Sequence, residues 1–236
     1  MSPFHPLWPW PQLHPHLVFE VLAWLAGLAV TLAQRRTPDP AAGDVRRAAA
    51  IAALIGAALG SKVLHWLTDP QALLAHLTDP VWLLGGKTMV GGLLGGWLAV
   101  ELTKRWMGVT TSTGDRFVPG LSVGLAVGRL GCFFSGLSDG THGAPTALPW
   151  GMDLGDGVAR HPVTLYEAAV ALLLLAIPAG PRSGDRFRRW VAAYLGWRLL
   201  TEPLKPQPVV LAGLTTLQLA CLLGLAALVW TRRAPD

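Results

Sequence analysis

In a 236-residue chain that is 52% hydrophobic and only 14% charged, a few ionisable side chains stand where charge is costly. Arg129 interrupts the apolar run "VGLAVGRLGCFFSGLSDG", residues 123–140. A guanidinium in such surroundings needs an anion, and its planar fork of donors matches the two oxygens of a phosphate or carboxylate. Arg198 and Glu202 stand four residues apart in "GWRLLTEPLKP", which puts them on one helix face. They form a self-neutralising pair on one reading. On the other, one nearby carboxylate serves two guanidiniums, and the residual positive charge is met by a phosphate bound between helices. A third stretch, "ARHPVTLYEA", residues 159–168, carries His161, Tyr166 and Glu167 around Pro162, a residue suited to the first turn of a helix. His161 is an ordinary candidate acid/base, since the reference pKa of histidine is close to neutral, and equally a candidate for capping a helix or locking a loop.

Other chemistries find less support. "MDLGDG" resembles half of a calcium loop without the remaining ligands. No His/Cys cluster has zinc spacing, and there is neither a nucleotide-type glycine loop nor a nucleophile elbow, so no cofactor is implied. Cys132 and Cys221 both fall in apolar runs, which argues against a disulfide framework.

The elements that must position these residues are membrane helices. Seven stretches approach the roughly 20 residues that span about 30 Å of hydrocarbon: 17–33, 48–67, 87–106, 118–138, 162–180, 191–204 and 211–230. Alternating them across the bilayer places thirteen Lys and Arg residues on one side, from Arg35 and Arg36 to Arg232 and Arg233, against three on the other: Lys87, Arg160 and Lys205. That asymmetry predicts seven transmembrane helices with the N-terminus outside and the C-terminus in the cytoplasm. The fold class is therefore an all-α polytopic membrane protein, a single integral-membrane domain over residues 1–236.

The net charge of +5 reflects this topology and anionic lipid, since no basic tract is long enough to suggest nucleic acid. The N-terminal "MSPFHPLWPWPQLHPH" lacks the basic start of a signal peptide and reads as retained, with Trp8 and Trp10 at the outer headgroups. Lys62, near a span end, is expected to snorkel. A repeated "LTDP", at 67–70 and 77–80, could bracket a short interfacial helix. The Gly/Pro/Asp-rich segment between the fourth and fifth spans is expected to be a structured outer loop. Glycines 56 and 60 read as helix packing, whereas glycines 124, 128 and 131 are expected to leave open volume beside Arg129.

Together these motifs resemble the bacterial prolipoprotein diacylglyceryl transferases. "VGGLLGG" (90–96), "GRLGCFFSGLSDG" (128–140), "RHPVTLYEA" (160–168) and "WRLLTEPLKP" (197–206) stand in that family's order and cover most of the chain. The resemblance implies a bacterial inner-membrane enzyme that moves a diacylglyceryl group from phosphatidylglycerol to the thiol of a lipobox cysteine in a secreted precursor. It implies phosphate-handling roles for Arg129 and Arg198, an acidic partner in Glu202, a glycine pair at Gly91 and Gly92, and the family's "LYE" element at Tyr166 and Glu167. Gly128, Gly131, Cys132, Ser135 and Gly140 belong to its substrate-binding signature. The family's glycine pair is preceded by a histidine where this chain has Val90; two signature asparagines are replaced by Cys132 and Ser135, and a glutamate by Leu137. Anion handling thus carries over better than thiol activation, whose base would come from His161, Tyr166, Glu167 or Asp139, with His161 favoured. The rival reading is an anionic-phospholipid binding or transport protein that keeps the cavity without the chemistry.

Overall fold

The computed structural model describes residues 4–34, 43–180 and 184–233. Arg35, Arg36 and Arg182 of the charge count lie outside these residues, as does the side chain of Asp139. The described chain is mainly helical: α1 (Pro15–Ala33), α2 (Gly43–Thr68), α3 (Pro70–Ala75), α4 (Pro80–Leu84), α5 (Met89–Trp106), α6 (Val118–Ser135), α7 (Val163–Leu173), α8 (Asp185–Thr201) and α9 (Thr216–Arg233). Two small antiparallel hairpins interrupt them, β1 (Met152–Asp153) with β2 (Ala159–Arg160) and β3 (Val209–Leu211) with β4 (Leu214–Thr215).

Three helical segments are long and apolar enough to cross a bilayer: Pro15–Ala33, Gly43–Thr68 and Asp115–Ser138. Val163–Ala176 and Thr216–Thr231 are apolar but shorter. On α1, Leu17, Val21, Trp24, Leu25, Leu28 and Leu32 are all exposed at helical spacing, a surface suited to hydrocarbon rather than water. α7 is shorter than the expected fifth span because it tightens into a 3-10 turn at Leu174–Ala176 and Ile177 is already extended. Pro178 enforces that exit. Arg186 then bonds the orphaned carbonyls of Ile177 (2.9 Å) and Leu175 (3.1 Å).

The chain forms two compact units. The first is built on α1, α6, α7, the N-terminal part of α8 and the turn Pro203–Pro206. In it α1 lies along α6 so closely that a Cβ on Gly27 would stand 2.9 Å from the carbonyl oxygen of Gly120. The second contains α2 to α5, the C-terminal part of α8, and α9. There Gly60 of α2 faces Gly95 of α5, and a Cβ on either would come within 2.8 Å of the other's Cα. Small residues let helices approach in this way in lipid, where van der Waals contact is the main attraction.

Several local expectations change. Each "LTDP" starts a helix of its own: Asp69 accepts from the Ala72 amide and Asp79 from the Val81 amide, both at 2.9 Å, with the following proline in the first turn. The Lys62 ammonium donates to the carbonyls of Leu84, Gly85 and Gly86 and closes the end of α4. Trp8 is buried, its indole N–H donating to the carbonyls of Trp10 and Leu13, while Trp10 is exposed.

Candidate active site

In the first unit α6 carries Arg129 against α7, and the guanidinium is buried with Nε 2.6 Å from Oε2 of Glu167. The other oxygen of Glu167 accepts from Lys205 Nζ at 2.8 Å. All three side chains are buried. Their formal charges sum to one positive charge, and no other described Asp, Glu, Lys or Arg side chain of this unit is buried. Tyr194, stacked on Trp190, stands near Arg129.

This corrects two expectations. Arg129 does not depend on Glu202 or on a ligand alone for its counter-charge, because Glu167 supplies one. Lys205, counted among the outer-loop cations, is buried. Glu167 is correspondingly ill placed as a general base, with each oxygen committed to a cation.

Cys132 stands one turn beyond Arg129 on α6. Its thiol lies 3.9 Å from Arg129 Nη1 and 3.9 Å from Nδ1 of His16 at the start of α1. Cys132 also lines a small cavity with Gly136, His142, Leu154 and His161. His161 is anchored through its backbone, its amide donating to the Ala144 carbonyl at 3.0 Å and its carbonyl accepting from the Val163 amide at 2.8 Å. Its Nδ1 is buried with no hydrogen-bond partner among the described residues. Tyr166 is turned outward by comparison, its hydroxyl accepting from the Trp150 indole at 2.8 Å, with its ring edge-on to His161 at 6.4 Å.

The glycines near Arg129 contribute less space than expected. A Cβ on Gly131 would stand 2.6 Å from Phe19 Cβ, and one on Gly124 would stand 3.1 Å from the Ala23 carbonyl oxygen. These two admit α1, not a ligand. Gly128 alone of the three has an open side, with nothing nearer than Ala23 Cβ at 3.8 Å. Ser135 is committed to its own helix, donating to the Gly131 carbonyl at 2.8 Å. Gly140 adopts φ +62, the left-handed region that ends the 3-10 turn Gly136–Asp139.

In the second unit, Arg198 Nη2 and Glu202 Oε2 are 2.6 Å apart and both buried, the self-neutralising arrangement that their spacing offers. Thr215 Oγ1 lies 3.5 Å from the other Glu202 oxygen. Val90 is 1% exposed at the start of α5. Gly91 packs against Gly60, whereas Gly92 makes only ordinary contact with Ala57 and Ser61.

The loop between α6 and α7 is structured, as its composition implied. Asp153 Oδ1 accepts the amides of Gly155 (2.8 Å), Asp156 (3.0 Å) and Gly157 (3.0 Å), and Asp156 pairs with Arg160 at 2.6 Å. The carboxylate that resembles a calcium ligand is therefore a turn former.

A family model described as prolipoprotein diacylglyceryl transferase matches residues 9–232. The chain belongs to the prolipoprotein diacylglyceryl transferase family. It is 33% identical over 206 residues to the phosphatidylglycerol–prolipoprotein diacylglyceryl transferase of Cupriavidus pinatubonensis, covering 76% of this chain and 68% of that one. The enzyme of the same name from Cupriavidus necator is 34% identical over 213 residues, 77% of this chain and 74% of its own. That of Geobacter sulfurreducens is 35% identical over 172 residues, 67% and 63% of the two chains. Within this transferase family the chain is thus a multi-pass membrane protein. Sequence reasoning did not single out Lys205 or His16 as site residues. Lys205 reads as a loop cation between Pro203 and Pro206, and His16 as one of several N-terminal histidines; only their neighbours in space set them apart.

Proposed function

We propose that this protein transfers a diacylglyceryl group from phosphatidylglycerol, or a related anionic glycerophospholipid, to the cysteine thiol of a secreted lipoprotein precursor. The observation that carries the proposal is the buried Arg129–Glu167–Lys205 cluster, which retains a positive charge inside an apolar unit of a chain from this family. An anionic phosphate is attracted to such a cluster. Arg129 holds it through charge-assisted hydrogen bonds and stabilises the charge that builds on it as it leaves. Arg198, with Glu202 at its guanidinium, is the charged pair of the second unit and takes the role of the family's second arginine. His161 receives the proton of the incoming thiol, its unsatisfied Nδ1 being a base beside the cavity that Cys132 lines.

In this reading the chain works as one membrane domain of seven spans, N-terminus outside, in the bacterial inner membrane, and the precursor carries a lipobox. The rival is a lipid-binding or transport protein of the same fold, favoured by the apolar Val90 where the family has a histidine. Complementation of a strain depleted of its own transferase, with lipid extraction from the purified protein, separates the two. Growth and lipidated precursor are expected; phosphatidylglycerol bound without any turnover would establish the rival.

A further inference from the structure

Cys132 is a nucleophile that the proposed reaction leaves unused, and it is not isolated. The thiol has a cation and a base on it, Arg129 Nη1 and His16 Nδ1, each at 3.9 Å. Cys132 also lines a cavity with His161, whose Nδ1 has no hydrogen-bond partner among the described residues. A thiol with an adjacent imidazole to take its proton and a guanidinium to stabilise the thiolate has the recurring composition of an activated cysteine. Cys221, the only other cysteine in the sequence, is buried in the second unit near Arg198 and Glu202.

Position decides what that thiol can attack. A phosphate held by Arg129 carries its glyceryl CH2 one oxygen away from phosphorus, so the carbon that reacts in the proposed transfer lies within a few bonds of the guanidinium. The ester carbonyls of the same lipid lie farther along the glycerol. We propose that Cys132 is itself an acceptor: the protein lipidates its own α6 at this thiol. The inference rests on the lipid-transfer reading of the site and adds a second, internal substrate to it.

The step balances without further reagents. His16 takes the thiol proton, and the thiolate attacks the glyceryl carbon. A C–S bond forms as the C–O bond to phosphate breaks, and glycerol phosphate departs with the electron pair while Arg129 holds the new charge. The product is a thioether, so it does not reverse. One lipid is consumed per protein, and the diacylglyceryl group stays attached to α6.

The experiment incubates the full-length protein with phosphatidylglycerol in mixed micelles, with and without a lipobox peptide. Intact and peptide-level mass spectrometry follow protein and peptide, and released glycerol phosphate is assayed. The expected result is one diacylglyceryl adduct on Cys132, stable to hydroxylamine, with about one equivalent of glycerol phosphate released in the absence of peptide. Cys132→Ser should remove the adduct and Cys221→Ala should keep it, while His16→Ala should slow its formation at least tenfold. A hydroxylamine-labile adduct would identify an acyl thioester and overturn the proposal. A lipidated peptide with unmodified Cys132 would also overturn it, leaving the transferase reading intact. If neither thiol is modified and no glycerol phosphate appears, both readings fall.

Discussion

Glu167 is shared between Arg129, 2.6 Å away on α6, and Lys205, 2.8 Å away in the turn after α8. A buried carboxylate that bridges two cations from separate elements holds those elements together, and removing it strands two charges at once. Glu167→Gln is therefore expected to lower stability by about 3–5 kcal/mol, the usual cost of breaking a buried pair. Thermal unfolding in one detergent checks this, and an unchanged midpoint would show that the bridge contributes little.

Arg129→Lys keeps the charge beside Glu167 but loses the planar fork that grips two phosphate oxygens. The variant should stay folded while its co-purified phosphatidylglycerol falls several-fold. Should Arg129→Lys unfold early yet retain its lipid, Arg129 is structural and the phosphate site lies elsewhere.

For the acid/base step, His161→Ala should reduce transfer to a lipobox peptide by about 10²–10⁴-fold, the range of a lost general base. Val90→His, at a buried apolar position, should leave the rate near wild type or disturb packing. Full turnover in His161→Ala would move the base to another group.

The loop between α6 and α7 should respond to acid in a defined direction. The amides of Gly155, Gly157 and Asp156 hold the Asp153 carboxylate below its usual range, and Arg160 does the same to Asp156. Burial lowers the pKa of His5, partly opposed by Asp153, and its Nδ1 accepts from the Leu7 amide at 3.1 Å in the neutral ring. All three folded-state pKa values lie below the ordinary ones. Their stabilisation is present in full above those ordinary values and is lost as pH falls through the depressed ones. Hydrogen exchange at the Gly155 and Gly157 amides should stay protected at pH 5 and lose protection only below the ordinary aspartate range. The Leu7 amide should open earlier, below the ordinary histidine pKa. Loss of protection at Gly155 already near neutral pH would contradict this assignment.

Topology has a direct check. Reporter fusions after Arg233 should report cytoplasm and insertions within residues 141–150 the outer side. A periplasmic signal from the C-terminus would invert the arrangement and place His161 on the wrong face for a secreted precursor.

How much of this was visible in the residues depends on the range of the interaction. Helix positions follow from apolar runs, and Arg198–Glu202 from a spacing of four, because both are local. The breakdown of the fifth span at Ile177 was legible only in part: Pro178 marks it, but the carbonyls that Arg186 caps do not. Glu167, although picked out by its motif, looked like a candidate base since nothing in one dimension shows that Arg129 and Lys205 meet on it. The glycines misled in the same way. Gly124 and Gly131 look like vacancies in a helix until α1 is laid against them, and the sequence carries no mark of which neighbour will arrive.

The bridge at Glu167 also changes what arrival of a lipid means. Arg129 does not present an empty socket: its Nε edge is already loaded with a carboxylate. An incoming phosphate must exchange with that carboxylate, much as an analyte displaces the resident counter-ion on an ion-exchange resin. Affinity is then set by the difference between two anions, not by the strength of one contact, and a tethered competitor waits to reclaim the guanidinium. Under the proposed reaction the glycerol phosphate left behind would be eluted by the protein's own side chain, with no motion larger than a change of partner.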